Sequence, residues 1–159
     1  MDVDQEPSLE QTERLNLASM REVLWRRLGA HSIVTTIAII AVGATLGAVL
    51  RYYVSLWSAT YLGAGFPYGT FIINITGSLI LGCFLTLAAE RAHIGTEWRL
   101  LIATGFCGSF TTFSTFSYES LTLLNNGSYI GAGLYMIGSV ALGLVGVVLG
   151  VILARLLFL

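Results

Sequence analysis

Apolar residues gather into four long runs, about Ile33 to Trp57, Tyr68 to Ala89, Trp98 to Leu124 and Tyr129 to Phe158. Each is near or above the roughly 20 residues that a bilayer-crossing helix needs. The connections are short: Gly63-Ala64-Gly65-Phe66-Pro67, the charged stretch Glu90 to Glu97, and Asn125-Asn126-Gly127-Ser128. The pattern predicts an all-α integral membrane domain of four transmembrane helices over residues 33–159. The third run is longer than a simple crossing requires. Its middle, Gly105 to Glu119, crowds Gly105, Gly108, Ser109, Thr111, Thr112, Ser114, Thr115 and Ser117 among Phe106, Phe110, Phe113 and Phe116. A bilayer offers no water to a loosened backbone, so such a run survives only against protein or a polar cavity. The third helix is therefore expected to be broken near its middle, in a protein that handles an ion.

Residues 1–32 form an extension of different character. They are too polar for a signal peptide and too acidic for an organelle transit peptide. Pro7-Ser8 followed by Gln11 resembles a capping box with Ser8 as N-cap. Leu17, Met20, Leu24 and Leu28 then recur at helical spacing, which predicts an interfacial amphipathic helix ending near Trp25 to Arg27. For Met1 to Pro7 a disordered tail is the alternative reading.

Composition sharpens the class. Charged residues are 11% of the 159-residue chain, against about 25% in soluble domains. Six of the nine acids, Asp2, Asp4, Glu6, Glu10, Glu13 and Glu22, precede the first run. The net charge of −1 therefore describes mainly the extension and points to no nucleic acid. An even number of spans places both termini and the Glu90–Glu97 loop on one side. Arg21, Arg26, Arg27, Arg91, Arg99 and Arg155 belong to that side, which the positive-inside rule makes cytoplasmic. Cys83 and Cys107 fall inside apolar runs and read as small buried hydrophobes. His31 and His93 sit at membrane edges with no partner at metal-ligand spacing. Gly43 with Gly47, Gly77 with Ser78 and Gly82, and Gly143, Gly146 and Gly150 mark seams where helices pack closely.

A few polar residues stand inside the runs, each with a structural and a functional reading. Arg51 either snorkels to the interface beside Tyr52, Tyr53 and Trp57 or draws anions to an aqueous vestibule. Thr70, Asn74 and Ser78 share one helical face; they either bond between helices, worth about 0.6 kcal/mol on average, or line a pore. Tyr135 and Ser139 repeat that spacing in the fourth run. Phe113 and Phe116 would share a face after the break, as lipid-facing rings or as ring edges, whose positive rims suit a small dehydrated anion. Glu119 is an interfacial residue, a vestibule group or a proton carrier.

Taken in order, Gly43-Ala44-Thr45-Leu46-Gly47-Ala48 with Arg51-Tyr52, Gly69-Thr70 with Asn74 and Gly77-Ser78, the Gly105 to Phe116 stretch, and Tyr135 with Ser139 resemble the Fluc/CrcB family of fluoride channels. The resemblance runs from roughly Ile39 to Leu153. It implies a dual-topology dimer, two four-helix subunits inserted antiparallel in the lipid bilayer, with two fluoride pores. By that likeness Phe113 and Phe116 supply ring edges, Asn74 donates to fluoride, and Tyr135, Ser139, Thr70 and Thr115 belong to the polar track. The likeness further implies that backbone carbonyls of Gly108 and Thr111, from both subunits, hold a structural Na+ at the dimer interface. Unwound mid-membrane backbone does expose carbonyls suited to an alkali cation. The chain departs from the family in its longer N-terminal extension and in Gly143, which stands where the fourth-span track can carry a further hydroxyl. The arginine asymmetry adds a tension. A homodimer needs both orientations of one chain; the alternative is a homologous subunit of opposite orientation.

These readings combine into a fluoride-selective channel of the bacterial inner or plasma membrane. It would export fluoride passively down its electrochemical gradient and so reduce toxicity. A proton-coupled small four-span exporter is the rival reading. Such exporters depend on an acid in the first span, where this chain has Arg51 and no acid. A non-transporting assembly subunit would suit the glycine seams alone. With no nucleophile, metal cluster or phosphate loop in the pattern, an enzyme is not expected.

Overall fold

The computed structural model describes residues 33–90 and 94–158. The expected interfacial helix, and Arg91 and His93 of the second connection, lie outside the described residues. The chain divides into two compact units, residues 1–37 and 38–159. Of the first, only the opening of a helix is described. Among the described residues regular structure is helical throughout, with no strand.

Four stretches are long and apolar enough to cross a membrane: Ile33–Leu62, Tyr68–Glu90, Thr96–Asn125 and Tyr129–Leu157. Helix α1 is Ile33–Leu62 and α2 is Tyr68–Glu90. The third stretch begins as α3, Thr96–Trp98, and continues as a π-helix, Arg99–Cys107. It goes on as α4, Gly108–Phe110, and resumes after Thr111 and Thr112 as α5, Phe113–Asn125. Helix α6 is Tyr129–Phe158. Helix α1 runs five residues past the end expected at Trp57. Its 30 residues span about 45 Å at 1.5 Å per residue, more than the roughly 30 Å of hydrocarbon. The chain stops it at Gly63, whose φ of 85° leaves the helical region. The α5–α6 connection is a Schellman turn: Gly127, with φ 74°, donates its N–H to the Leu124 carbonyl, and Ser128 donates to Leu123 at 2.9 Å.

Glycines set the helix seams. A Cβ on Gly43 would strike the Leu101 carbonyl, and one on Gly47 the Phe106 carbonyl, so α1 lies with its backbone against the π-helical segment. Helices α2 and α6 form the most extensive pair. Gly146 faces the Ile75 carbonyl, and Gly150 faces the Leu79 carbonyl and the Cys83 amide. Lipid tails are as apolar as leucine, so such close backbone contact, rather than hydrophobic burial, is what drives helices together in a bilayer. Large aliphatic side chains such as Val42, Leu46, Leu144 and Val148 point outward, exposed, as a lipid-facing surface requires. At one end Arg99 donates to the Ala88 carbonyl near the C-terminus of α2, and Arg155 bridges to Glu90 at 2.9 Å. That exposed ion pair contributes little to stability.

Candidate functional site

The polar positions converge where α2 and α6 face the start of α5. Thr111 has extended backbone (φ −77°, ψ 159°), and so does Thr112 (φ −153°, ψ 119°). Thr112 is the N-cap of α5: its Oγ1 accepts from the Thr115 N–H at 3.3 Å and donates to Thr115 Oγ1 at 2.9 Å. A threonine at this position satisfies one of the amides that a helix start leaves without a partner. Asn74 clasps the same residue from α2. Its Oδ1 accepts from the Thr112 N–H at 2.9 Å, and its Nδ2 donates to the Thr112 carbonyl at 3.1 Å. Gly77, almost one turn further along α2, allows this approach, because a Cβ there would strike Thr111 Cγ2.

A second polar junction lies one turn away on α2. Thr70 donates to Glu119 Oε1 at 3.0 Å, and Tyr135 donates to Glu119 Oε2 at 2.7 Å. One carboxyl group thus ties α2, α5 and α6 together, with Thr70 and Tyr135 buried around it. Rings surround the Tyr135 phenol: Phe116 at 5.2 Å and Phe66 edge-on at 5.4 Å between centroids. Phe113 lies 5.8 Å from Phe116 and is 79% exposed. Ser139, one turn beyond Tyr135 on α6, carries the one buried side-chain polar atom among the described residues that has no hydrogen-bond partner.

Glu119 also borders a cavity of about 430 Å³, lined by Ser55, Ser58, Thr70, Tyr118 and Thr122 among others. Arg51 is half-buried on α1 beside the exposed rings of Tyr52 and Tyr53 and does not line that cavity. Gly108, the first residue of α4, is exposed, and Thr111, just past its end, is half-buried. Ser78 faces Gly143 across the α2–α6 seam, 3.7 Å from where a Cβ would stand, so it serves close packing.

Two features were not anticipated from the sequence. The first is Thr112, whose signal was available: threonine is among the residues preferred just before a helix start. The second is the π-helix, for which the sequence carries no comparable mark.

The family model described as CrcB-like protein, Camphor Resistance (CrcB), matches residues 38–151. The chain belongs to the CrcB family. Among relatives, the fluoride-specific ion channel FluC of Roseiflexus sp. strain RS-1 is 52% identical over 118 residues, 74% of this chain and 95% of the relative. The protein of the same name from Chloroflexus aurantiacus is 51% identical over 116 residues, 73% of this chain and 92% of the relative. A third, from Trichormus variabilis, is 50% identical over 118 residues, 74% of this chain and 86% of the relative. The CrcB match contains both polar junctions, the extended Thr111–Thr112 backbone and Ser139. Four membrane-crossing stretches and this family make the chain a multi-pass membrane protein.

Proposed function

We propose that this CrcB-family chain is a fluoride-selective channel that lets fluoride leave the cell passively, reducing its toxicity, in the inner or plasma membrane of a bacterium. The observation that carries the reading is the 50–52% identity to relatives named as fluoride-specific ion channels, across 86–95% of their length. Geometry adds a physical rationale. Fluoride is small and strongly hydrated, so a pore must replace its water with donors without binding it too tightly. Ser139 offers a buried hydroxyl with no competing acceptor. Thr70 and Tyr135 donate to Glu119, so fluoride would draw on them by taking the carboxyl group's place as acceptor. Asn74 keeps one N–H beyond the one given to Thr112. Phe113 and Phe116 would present ring edges, with Thr115 on the same track and Arg51 and Glu119 at the vestibules.

The reading continues to an antiparallel dimer, a homodimer by preference over a pair with an oppositely oriented homologue. The exposure of Phe113 supports it, since a second subunit would cover a ring that one subunit leaves bare. The third span is read as interrupted between α4 and α5, and the extended Thr111–Thr112 backbone supports this. The carbonyls of Gly108 and Thr111 would hold a structural Na+ there. The donor set fits: neutral backbone oxygens at an opened helix end suit a monovalent cation. When bound, the ion would supply a fixed positive charge that favours a nearby anion.

The test is efflux of fluoride from liposomes holding the purified protein, followed with a fluoride electrode. Rapid electrogenic release without a pH gradient is the expected result, and Phe113→Ile or Asn74→Ala should slow it. Release that requires an opposing proton gradient would instead favour a coupled carrier, and no release would favour an assembly subunit or an incomplete pair.

A further inference from the structure

We propose that Asn74 and Thr112 are positioning residues for the sodium ion, because they divert two backbone N–H groups and leave the carbonyls of Gly108 and Thr111 open to a cation. The inference rests on the sodium reading above. In an uninterrupted helix the N–H of residue 112 would bond to the carbonyl of residue 108, and that of residue 115 to residue 111. Both donors are spoken for. The Thr112 N–H goes to Asn74 Oδ1 at 2.9 Å, and the Thr115 N–H goes to Thr112 Oγ1 at 3.3 Å. Each diversion removes the helical donor of one carbonyl, that of Gly108 at the start of α4 or that of Thr111 just past its end.

Asn74 does more than occupy a donor. Its second bond, Nδ2 to the Thr112 carbonyl at 3.1 Å, grips both polar groups of one residue, as a neighbouring β-strand would, and holds that residue extended. The space at Gly108 is open: a Cβ there would meet nothing nearer than the Ala103 carbonyl at 3.8 Å. Carbonyls released from a helix inside a bilayer need a partner, because water is not at hand to supply one. A cation ligated by neutral oxygens is such a partner. Asn74 would then serve two ions at once, its grip on Thr112 opening the sodium site and its remaining N–H facing the anion.

The experiment measures sodium binding apart from fluoride flux. Purified full-length protein in detergent is titrated with sodium chloride against choline chloride at constant ionic strength. Binding is read from radioactive sodium retained at equilibrium and from the sodium dependence of the melting temperature. In Asn74→Leu the Thr112 N–H is free to return to Gly108, and sodium affinity should fall by about tenfold, the worth of one buried hydrogen bond the ion must displace. Thr112→Val removes the acceptor for the Thr115 N–H and should cause a similar loss, whereas Thr112→Ser keeps that acceptor and should bind within about twofold of the native protein. This pair decides the matter even if Asn74→Leu fails to assemble. Ser139→Ala, which removes neither the Asn74–Thr112 bonds nor the Thr112 cap of α5, should slow fluoride efflux and leave sodium affinity unchanged. Native sodium affinity in both Asn74→Leu and Thr112→Val, with efflux reduced, would overturn the inference and leave Asn74 a fluoride donor alone. Absence of sodium binding in the native protein would instead remove the sodium site itself, and the inference with it.

Discussion

A hydroxyl in a membrane helix ordinarily satisfies itself by donating to the carbonyl one turn back. Thr45 does so to Ala41 at 2.8 Å, Thr86 to Gly82 at 2.8 Å, and Ser120 to Phe116 at 2.7 Å. Ser139 does not, although its oxygen is buried. Leaving a buried hydroxyl without a partner costs about 1–3 kcal/mol, a penalty that a structural residue has no reason to carry. Ser139→Ala should therefore leave stability unchanged or raise it by about 1 kcal/mol, while slowing fluoride efflux. A melting curve and a fluoride electrode check the two halves, and an alanine variant with native efflux would take the serine out of the ion path. Glu119 makes the opposite case. Its two oxygens each accept a hydroxyl proton, whereas an amide has a single acceptor oxygen. Glu119→Gln leaves either Thr70 or Tyr135 facing an N–H₂ group, and should destabilise the fold by about 1–3 kcal/mol. Chemical unfolding in detergent micelles measures this, and a variant as stable as the native protein would mean that the junction is not structural.

At the scale of elements, the glycine seams separate close packing from mere composition. Gly43 and Gly47 bring α1 against the Leu101 and Phe106 carbonyls, backbone atoms that cannot step aside. Gly133 on α6 has nothing within 4 Å of its missing Cβ. Gly43→Val should cost about 1–3 kcal/mol or more through overpacking, and Gly133→Val close to nothing, in the same unfolding assay. Equal effects at the two sites would mean that the α1 seam is looser than it stands here. The comparison also marks what could be read from the chain alone. The apolar runs are legible because a bilayer fixes how long an apolar helix must be, and the glycine spacing in α1 is legible because small residues have few other uses there. The end of α1 was not: Trp57 looks like an interfacial stop, yet Ser58 to Leu62 remain helical until Gly63 permits a positive φ. Asn74 was legible as an expensive amide in a span, but not its two-point grip on Thr112. That grip depends on how α2 sits beside the α4–α5 junction, and no local pattern encodes it. The π-helix escaped for the same reason, since propensity does not distinguish it from an α-helix.

At the scale of the whole molecule, orientation is the property that charge and family likeness pull apart. Arg99 and Arg155 stand at one end of the bundle, with Glu90 paired to Arg155 there, while the Gly63–Pro67 connection at the opposite end carries no charge. Lysine and arginine bias sets topology through short loops, and by that rule every copy should insert the same way. An antiparallel homodimer requires the bias to be overridden in half of the copies. The exposed ring of Phe113 gives a physical means: if subunits bind most tightly when inverted, dimerisation would trap whichever copies insert against the bias. A cysteine introduced at Ala64, in a chain whose Cys83 and Cys107 are replaced by alanine, tests this with a membrane-impermeant thiol reagent on intact spheroplasts. The homodimer reading expects about half of the sites to react from outside and the rest only after lysis, against nearly one side alone for a chain obeying the arginine bias. Labelling from a single side, together with silent liposomes, would mean that fluoride passes only when a second, oppositely inserted subunit completes the pair.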